Sequence, residues 1–281
     1  MARATTTLVP WFGSNRSLAH HVGAQLADCT HATVLFGGGL CELRHLTART
    51  IIVSDLHRHV INLANVLQDD DMGPAIIRQL RRLPFHEDTL RMAQQHCLAC
   101  EATTSKNPDP AWALSYFVAS WMGRSGKAGT DDEFASKLSV RWDAGGGDSA
   151  TRFRSAVESL RDWRKIMPRC TFVVMDCFAM LDKVKDQDGC GLYSDSPFPS
   201  VGDAYTHHFT DAQHRELARR LAVFTKTRVV CRFYRHPLVE ELYPTSRWHW
   251  LELKGGRTQA NKQAPEVLLV NGEPLAGKDT A

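Results

Sequence analysis

Thr33-Val34-Leu35-Phe36-Gly37-Gly38-Gly39 sets the reading of this chain: a short apolar strand, Thr33–Phe36, opens into glycines. Thr50-Ile51-Ile52-Val53-Ser54-Asp55 follows, a second buried strand over Thr50–Ser54 with an acid at its end. His57–Leu67 then carries apolar residues at Val60, Ile61, Ala64 and Leu67, the spacing of a helix face. Upstream, Ser14–Leu26 reads as a helix with Ser14 as its N-cap. This alternation is βαβ patterning and predicts a parallel sheet. Glycines at a strand end let the backbone approach a ligand closely. Asp55, nineteen residues beyond Phe36, stands where an acid binds the ribose hydroxyls of a nucleotide-like cofactor. The same residues also fit a plain glycine turn and an aspartate capping the helix at His57.

Residues 68–168 break the pattern. Helical stretches fall around Ile76–Leu83, Glu87–Cys100, Ala111–Trp121 and Thr151–Ile166, and Gly123–Gly147 is a glycine-rich stretch read as flexible. No strand of the βαβ type occurs there, so 68–168 is predicted to be an inserted, mostly helical lobe, with 1–67 and 169–281 forming one α/β domain. Strands resume at Cys170–Met175, Gly191–Ser194 and Thr227–Phe233, with a helix over Asp211–Phe224. Trp248–Leu253 and Val267–Val270 read as an edge hairpin. Asp176 follows the third α/β strand at the sheet edge of Gly37 and Asp55, where open α/β sheets bind ligands; a helix N-cap is the other reading.

The chain has 281 residues, 43% hydrophobic and 23% charged, enough for one large domain or a domain with an insertion. A net charge of +3 permits a polyanionic partner without singling one out. No apolar run approaches the ~20 residues of a membrane span, and Met1 to Pro10 has no signal-like core. The eight cysteines are scattered and read as reduced thiols of a cytosolic protein. Cys97 and Cys100, beside His96, form a single C-x-x-C on a helical segment. A zinc site needs a second pair, so no metal is expected.

Tyr193-Ser194-Asp195-Ser196-Pro197-Phe198 is the sharpest motif: a strand ends, then an acid, a proline-stiffened turn and an aromatic follow. An adenine amine is a poor nucleophile because its lone pair is delocalised into the ring. A carboxylate and a backbone carbonyl can accept its two hydrogens and build negative charge on nitrogen, while an aromatic stacks on a base that has left the duplex. An ordinary Asp-Ser-Pro turn is the competing reading.

Taken together, these residues resemble the Dam-type N6-adenine DNA methyltransferases, in order along nearly the whole chain and most weakly through the middle lobe. Pro10-Trp11-Phe12-Gly13-Ser14-Asn15-Arg16 is similar to the family's N-terminal cofactor motif, and Leu35–Gly39 to its Phe-x-Gly-x-Gly loop. Ser54-Asp55 with Asn62-Leu63 resembles the acid-rich second strand and the helix after it. Asp176-Cys177-Phe178 looks like the Asp-Phe motif, and Asp195–Phe198 resembles the catalytic Asp-Pro-Pro-Tyr. Tyr205–Phe209 with His214 and Leu217, then Arg228–Tyr243 and Glu266–Asn271, are similar to the downstream blocks. Three positions depart. Asn15 stands where the family usually has lysine, and Leu35 replaces the loop phenylalanine, with Phe36 beside it. Ser196 replaces the first proline, whose backbone carbonyl serine retains.

The resemblance implies a Rossmann-like methyltransferase sheet dependent on S-adenosylmethionine (SAM), with an inserted target-recognition lobe and DNA as partner. It implies a monomer or weak dimer in a bacterial cytoplasm, chromosomally or phage encoded, with restriction–modification as one setting. Trp11, Phe12, Gly13, Asn15, Phe36, Gly37, Gly39, Asp55, Asp176, Cys177 and Phe178 are the implied cofactor contacts. Asp195, Ser196, Pro197 and Phe198 are the implied catalytic residues, acting on a flipped-out adenine. Other outcomes are methylation of cytosine N4 or of an RNA amine, a catalytically weakened DNA-binding relic, and a dinucleotide enzyme, which leaves 193–198 unexplained. Arginines cluster at 78, 81 and 82, and again with Lys165 at 152, 154, 161, 164 and 169, as phosphate contacts or a solvated helix face. Arg124, Lys127, Arg152 and Arg154 flank the glycine-rich segment and are the expected DNA contacts. The acidic runs at 69–71 and 131–133 are expected to face away from DNA, and Trp112, Tyr116, Trp121, Trp142 and Trp163 to be core.

Overall fold

The structure, a computed structural model, describes residues 5–14, 16, 18–103, 107–124, 126–140, 148–199, 205–253 and 266–275. It divides into two compact units: Met1–Ser14, Gly38–Cys41 and His57–Pro168 in one, and Asn15–Gly37, Glu42–Leu56 and Arg169–Ala281 in the other.

The second unit is built on one sheet. Its strands are β1 (His31–Val34), β2 (Thr50–Asp55), β3 (Cys170–Val174), β4 (Cys190–Ser194), β5 (Arg228–Tyr234), β6 (His249–Glu252) and β7 (Glu266–Val270). They run in the order β3-β2-β1-β4-β5-β7-β6. The first five are parallel, and β7 lies antiparallel to both β5 and β6. Strand order reverses where β1 pairs with both β2 and β4, the topological switch point at which such sheets bind ligands. β4 and β7 are buried along their whole lengths, as near-continuous apolar runs require. The core sets Leu192, Val229, Cys231, Phe233 and Leu269 against Leu217, Ala218 and Leu221 of α8 (Asp211–Leu221). Those three, with His214, follow the i, i+3, i+4 spacing of a buried helix stripe, and Thr210 with Gln213 closes a capping box at the start of α8. The remaining helices are α1 (Ala19–Gln25), α7 (Cys177–Leu181) and α9 (Pro237–Leu242).

The first unit contains α2 (Arg58–Gln68), α3 (Met72–Arg82), α4 (Glu87–Glu101), α5 (Pro110–Met122) and α6 (Ser149–Ile166). α5 is its buried centre, apolar nearly all round, with Trp112, Tyr116, Phe117 and Trp121 inside. The Asp109 carboxylate starts it by accepting from the Ala111 and Trp112 N–H groups. Trp112 Nε1 donates to His59 Nδ1 at 2.6 Å, and His57 Nε2 lies 2.8 Å from Glu133 Oε2. Burial, with His57 and Arg58 adding to it, lowers the His59 pKa to about 2, so His59 is a neutral acceptor.

Several local expectations are corrected. Ser14 does not cap a helix: α1 begins at Ala19 after Leu18, without a side-chain cap, because Gly13 adopts a left-handed φ of 65° and Ser14 Oγ meets Cys41 Sγ at 3.0 Å. Asp55 ends β2 and does not cap α2, whose N-cap is His57. Within the glycine-rich stretch, residues 126–140 include local structure: Ala128 and Glu133 are buried and Glu133–Ala135 forms a 3₁₀ turn; residues 141–147, with Trp142, lie outside the described residues. The few apolar residues of the stretch give no sign of this, because the structure there rests on backbone pairing of Trp11 with Ala128 and Gly123 with Leu138.

Candidate functional site

Four chain segments leave the carboxyl ends of parallel strands at one edge of the second unit: Phe36-Gly37 after β1, Asp55 on β2, Asp176 after β3 and Asp195 after β4. The register aligns them. Val34 pairs with Tyr193, Asp55 with Val174, and Ser194 with Cys231. Asp195 therefore emerges beside Arg232 of β5.

Arg232 is the hub of this edge. Its Nη1 donates to Asp195 Oδ1 and Oδ2 at 3.2 and 3.1 Å, and its Nε donates to Glu266 Oε2 of β7 at 2.8 Å. The guanidinium also lies 5.1 Å from the Phe198 ring centroid, a cation–π contact. Arg232 and Glu266 are buried, whereas the Asp195 side chain keeps 19% exposure. Burial raises the Asp195 carboxyl above the ordinary carboxylate range, against the pull of Arg232 and with help from Glu266. Burial also opposes the Arg232 charge, but the two carboxylates hold its proton far above the usual range. One cation between two acids leaves the cluster net negative. Phe198 packs on Phe233 and edge-on against Tyr234, and the buried Ser196 Oγ has no hydrogen-bond partner among the described residues.

Asp176 leaves β3 at this edge and serves as a helix N-cap. Its Oδ1 caps α7 by accepting from the Phe178 and Ala179 N–H groups, and Oδ2 has no hydrogen-bond partner among the described residues. Phe178 stacks on Phe209, which meets Phe36 edge-on, and the Arg220 guanidinium lies over Phe178. Cys177 packs into the core, where burial pushes its thiol up to about 12, so its side chain faces away from this edge. Burial raises the Tyr205 hydroxyl, with Asp195 and Asp55 adding to the shift, which puts Tyr205 near both acids. Arg232, Glu266, Phe209 and Tyr205 were not singled out from the sequence as site residues. The available signal was Arg232 itself, a lone charge inside the apolar run Val229–Phe233 that demands buried counter-charge.

No family model matches this chain, and a search of curated proteins finds no significant match either. Among the described residues no helix is long and apolar enough to cross a membrane, and no three His, Cys, Asp or Glu side chains are grouped to hold a metal ion.

Of the other expected cofactor residues, Trp11, Phe12, Gly13 and Gly39 belong to the first unit. Phe12 N–H donates to Ala128 O, and Gly13 makes the turn after it. Gly39 lacks a side chain because a Cβ there would meet Thr7 Oγ1 at 2.7 Å and Trp11 Cβ at 3.0 Å, so its close approach is to the protein's own N-terminal segment. Asn15 lies outside the described residues. Of the expected DNA contacts, Arg124 and Arg154 are exposed and Arg152 is half-buried, while Lys127 is paired with Asp132 at 2.8 Å. The acidic run at 131–133 does not turn one way: Asp132 is exposed and Glu133 is buried against His57.

Proposed function

We propose that this protein transfers a methyl group from SAM to N6 of an adenine in DNA. The observation that carries this reading is Asp195, partly exposed beyond β4 at the switch-point edge, followed by Ser196, Pro197 and a partly buried Phe198. The sheet order supports it: five parallel strands, with β7 antiparallel between β5 and β6, suit the SAM-dependent methyltransferase sheet that the resemblance implies. An inserted target-recognition lobe, formed by the helices between β2 and β3, is part of the same proposal.

The residues at the edge fit the cofactor chemically. Asp55 and Asp176 Oδ2 are acceptors suited to ribose hydroxyls and an adenine amine, and Phe36 and Phe178 offer aromatic walls. SAM, when bound, supplies an activated methyl group and needs no metal to do so. Asp195 and the Ser196 carbonyl accept the two hydrogens of the target amine, which localises its lone pair on nitrogen. Arg232 fixes the carboxylate and steadies Phe198 as the plate for the extruded base. A carboxylate offers about four lone-pair sites, so the Arg232 contacts leave Asp195 able to accept another hydrogen. The same contacts weaken it as an acceptor, which favours a catalytically weakened relic as the second reading.

The test is transfer of labelled methyl from SAM to unmodified duplex DNA and, in a parallel reaction, to RNA, each followed by digestion to nucleosides. Label is expected in N6-methyladenine. Asp195→Ala is expected to lower the rate by about a hundredfold or more while SAM binding stays within a few-fold. Label in N4-methylcytosine, or in RNA alone, reassigns the substrate; DNA binding without transfer supports the relic.

A further inference from the structure

Two basic stripes that are far apart in the sequence converge on one cleft in the first unit. On α3, Arg78 and Arg81 project with Pro74 and Ile77, an i, i+3, i+4 stripe. On α6, Arg161, Arg164 and Lys165 form a second stripe of the same spacing. These side chains line an open cleft of about 550 Å³, and no carboxylate lines it.

The five cations are not equivalent. Arg81 pairs with Glu158, Lys165 with Asp162 at 2.7 Å, and Arg164 with Asp70 at 3.3 Å. Arg164 is also anchored by donating to the Leu67 and Asp69 carbonyls, and it packs so closely on Gly73 that a Cβ there would collide with it. It is a fixed part of the wall. Arg78 and Arg161 have no acidic partner among the described residues, and both are exposed. The Asp69 carboxylate also acts on Arg164, so five cations face four acids and the cleft stays net positive at +1, with two free guanidinium forks beside the apolar Pro74 and Ile77.

We infer that this cleft binds a phosphate group, carried by a nucleic-acid backbone or by a free nucleotide. Several forks converging on one small space suit a phosphate, whose oxygens accept from more than one guanidinium at once; a carboxylate is satisfied by one. Pro74 and Ile77 give the attached sugar an apolar surface. This inference makes no use of the methyl-transfer reading.

The test compares Arg78→Ala/Arg161→Ala with Arg82→Ala/Arg91→Ala, which removes equal charge outside the cleft. Binding of a labelled duplex is measured across a salt series, and binding of ATP and inorganic phosphate by calorimetry. If the backbone is the source, the cleft variant loses about tenfold in duplex affinity, its log–log salt slope falls by about 2, and the control keeps both. If a free nucleotide is the source, ATP binding is lost in the cleft variant alone. Arg78→Glu/Arg161→Glu should deepen whichever loss is seen. Equal behaviour of cleft and control variants, binding of neither ligand by the unaltered protein, or competition by polyglutamate as effective as by duplex, overturns the inference.

Discussion

Arg232 carries its charge into a strand whose neighbours Val229, Val230, Cys231 and Phe233 are wholly buried. Such a charge persists only when paired, and removing one partner of a buried ion pair typically costs 3–5 kcal/mol, roughly. Arg232→Met, which leaves Asp195 and Glu266 facing each other, is expected to lose about that much in urea unfolding. Adding Glu266→Gln should restore part of it; a loss below about 1 kcal/mol for Arg232→Met speaks against the hub. Arg232→Lys keeps the charge but not the fork that reaches both acids. With less stabilisation of its charged form, Asp195 should titrate higher, so the acid limb of methyl transfer should move to higher pH. Asp195 was legible in the sequence because Pro197 and Phe198 follow it. Its clamp was not, because Arg232 lies 37 residues after Asp195 and 34 before Glu266, and only strand register joins them.

The parallel strands were legible because each is a short apolar run bounded by glycine or acid, and the long helices because each repeats a buried stripe. α7 and α9, at 5 and 6 residues, are too short for any period to show. The basic stripes of α3 and α6 were visible singly, but their convergence depends on helix packing. The segment around Trp11 depends on a different kind of contact. Its indole lies over Gly38 and Gly129, both in the left-handed region, and a Cβ on Gly129 would come within 2.5 Å of the ring. Gly129→Ala therefore suffers both the φ of 83° and the clash, and is expected to cost about 2–3 kcal/mol. In a Trp11→Ala background the clash disappears and only about 1 kcal/mol should remain. A double-mutant cycle read by thermal unfolding measures the difference, and strict additivity would mean that the indole is not what excludes a side chain there.

Among the described residues, burial lowers the pKa of one histidine in the first unit and of two in the second, the half-buried His45 and the buried His214, and this makes the molecule acid-sensitive well above the carboxylate range. In the first unit it is His59, lowered to about 2; in the second, His214 is lowered to about 4 by burial against the partial opposition of Asp211. His214 packs against Phe209 and Phe233, and its Nε2 has no hydrogen-bond partner among the described residues, so burial outweighs the pull of Asp211. Both folded values lie below the unfolded value near 6.5, so below that pH the unfolded chain binds more protons than the folded one. The stability each neutral ring supplies is fully present above pH 6.5 and is lost as pH falls toward the folded values. Between neutrality and pH 5 the loss is about 2 kcal/mol for each of these two histidines, before ordinary carboxylates begin to titrate. Urea unfolding followed across pH 7 to 5 should therefore show a steep decline, and His214→Phe should remove the share of about 2 kcal/mol that His214 supplies, leaving those of His59 and His45. That variant substitutes an apolar ring among aromatic neighbours, so its stability at pH 7 should change little while its dependence on pH becomes shallower. An unaltered slope in His214→Phe would mean that His214 is protonated in the folded protein and that its aromatic surroundings open to water.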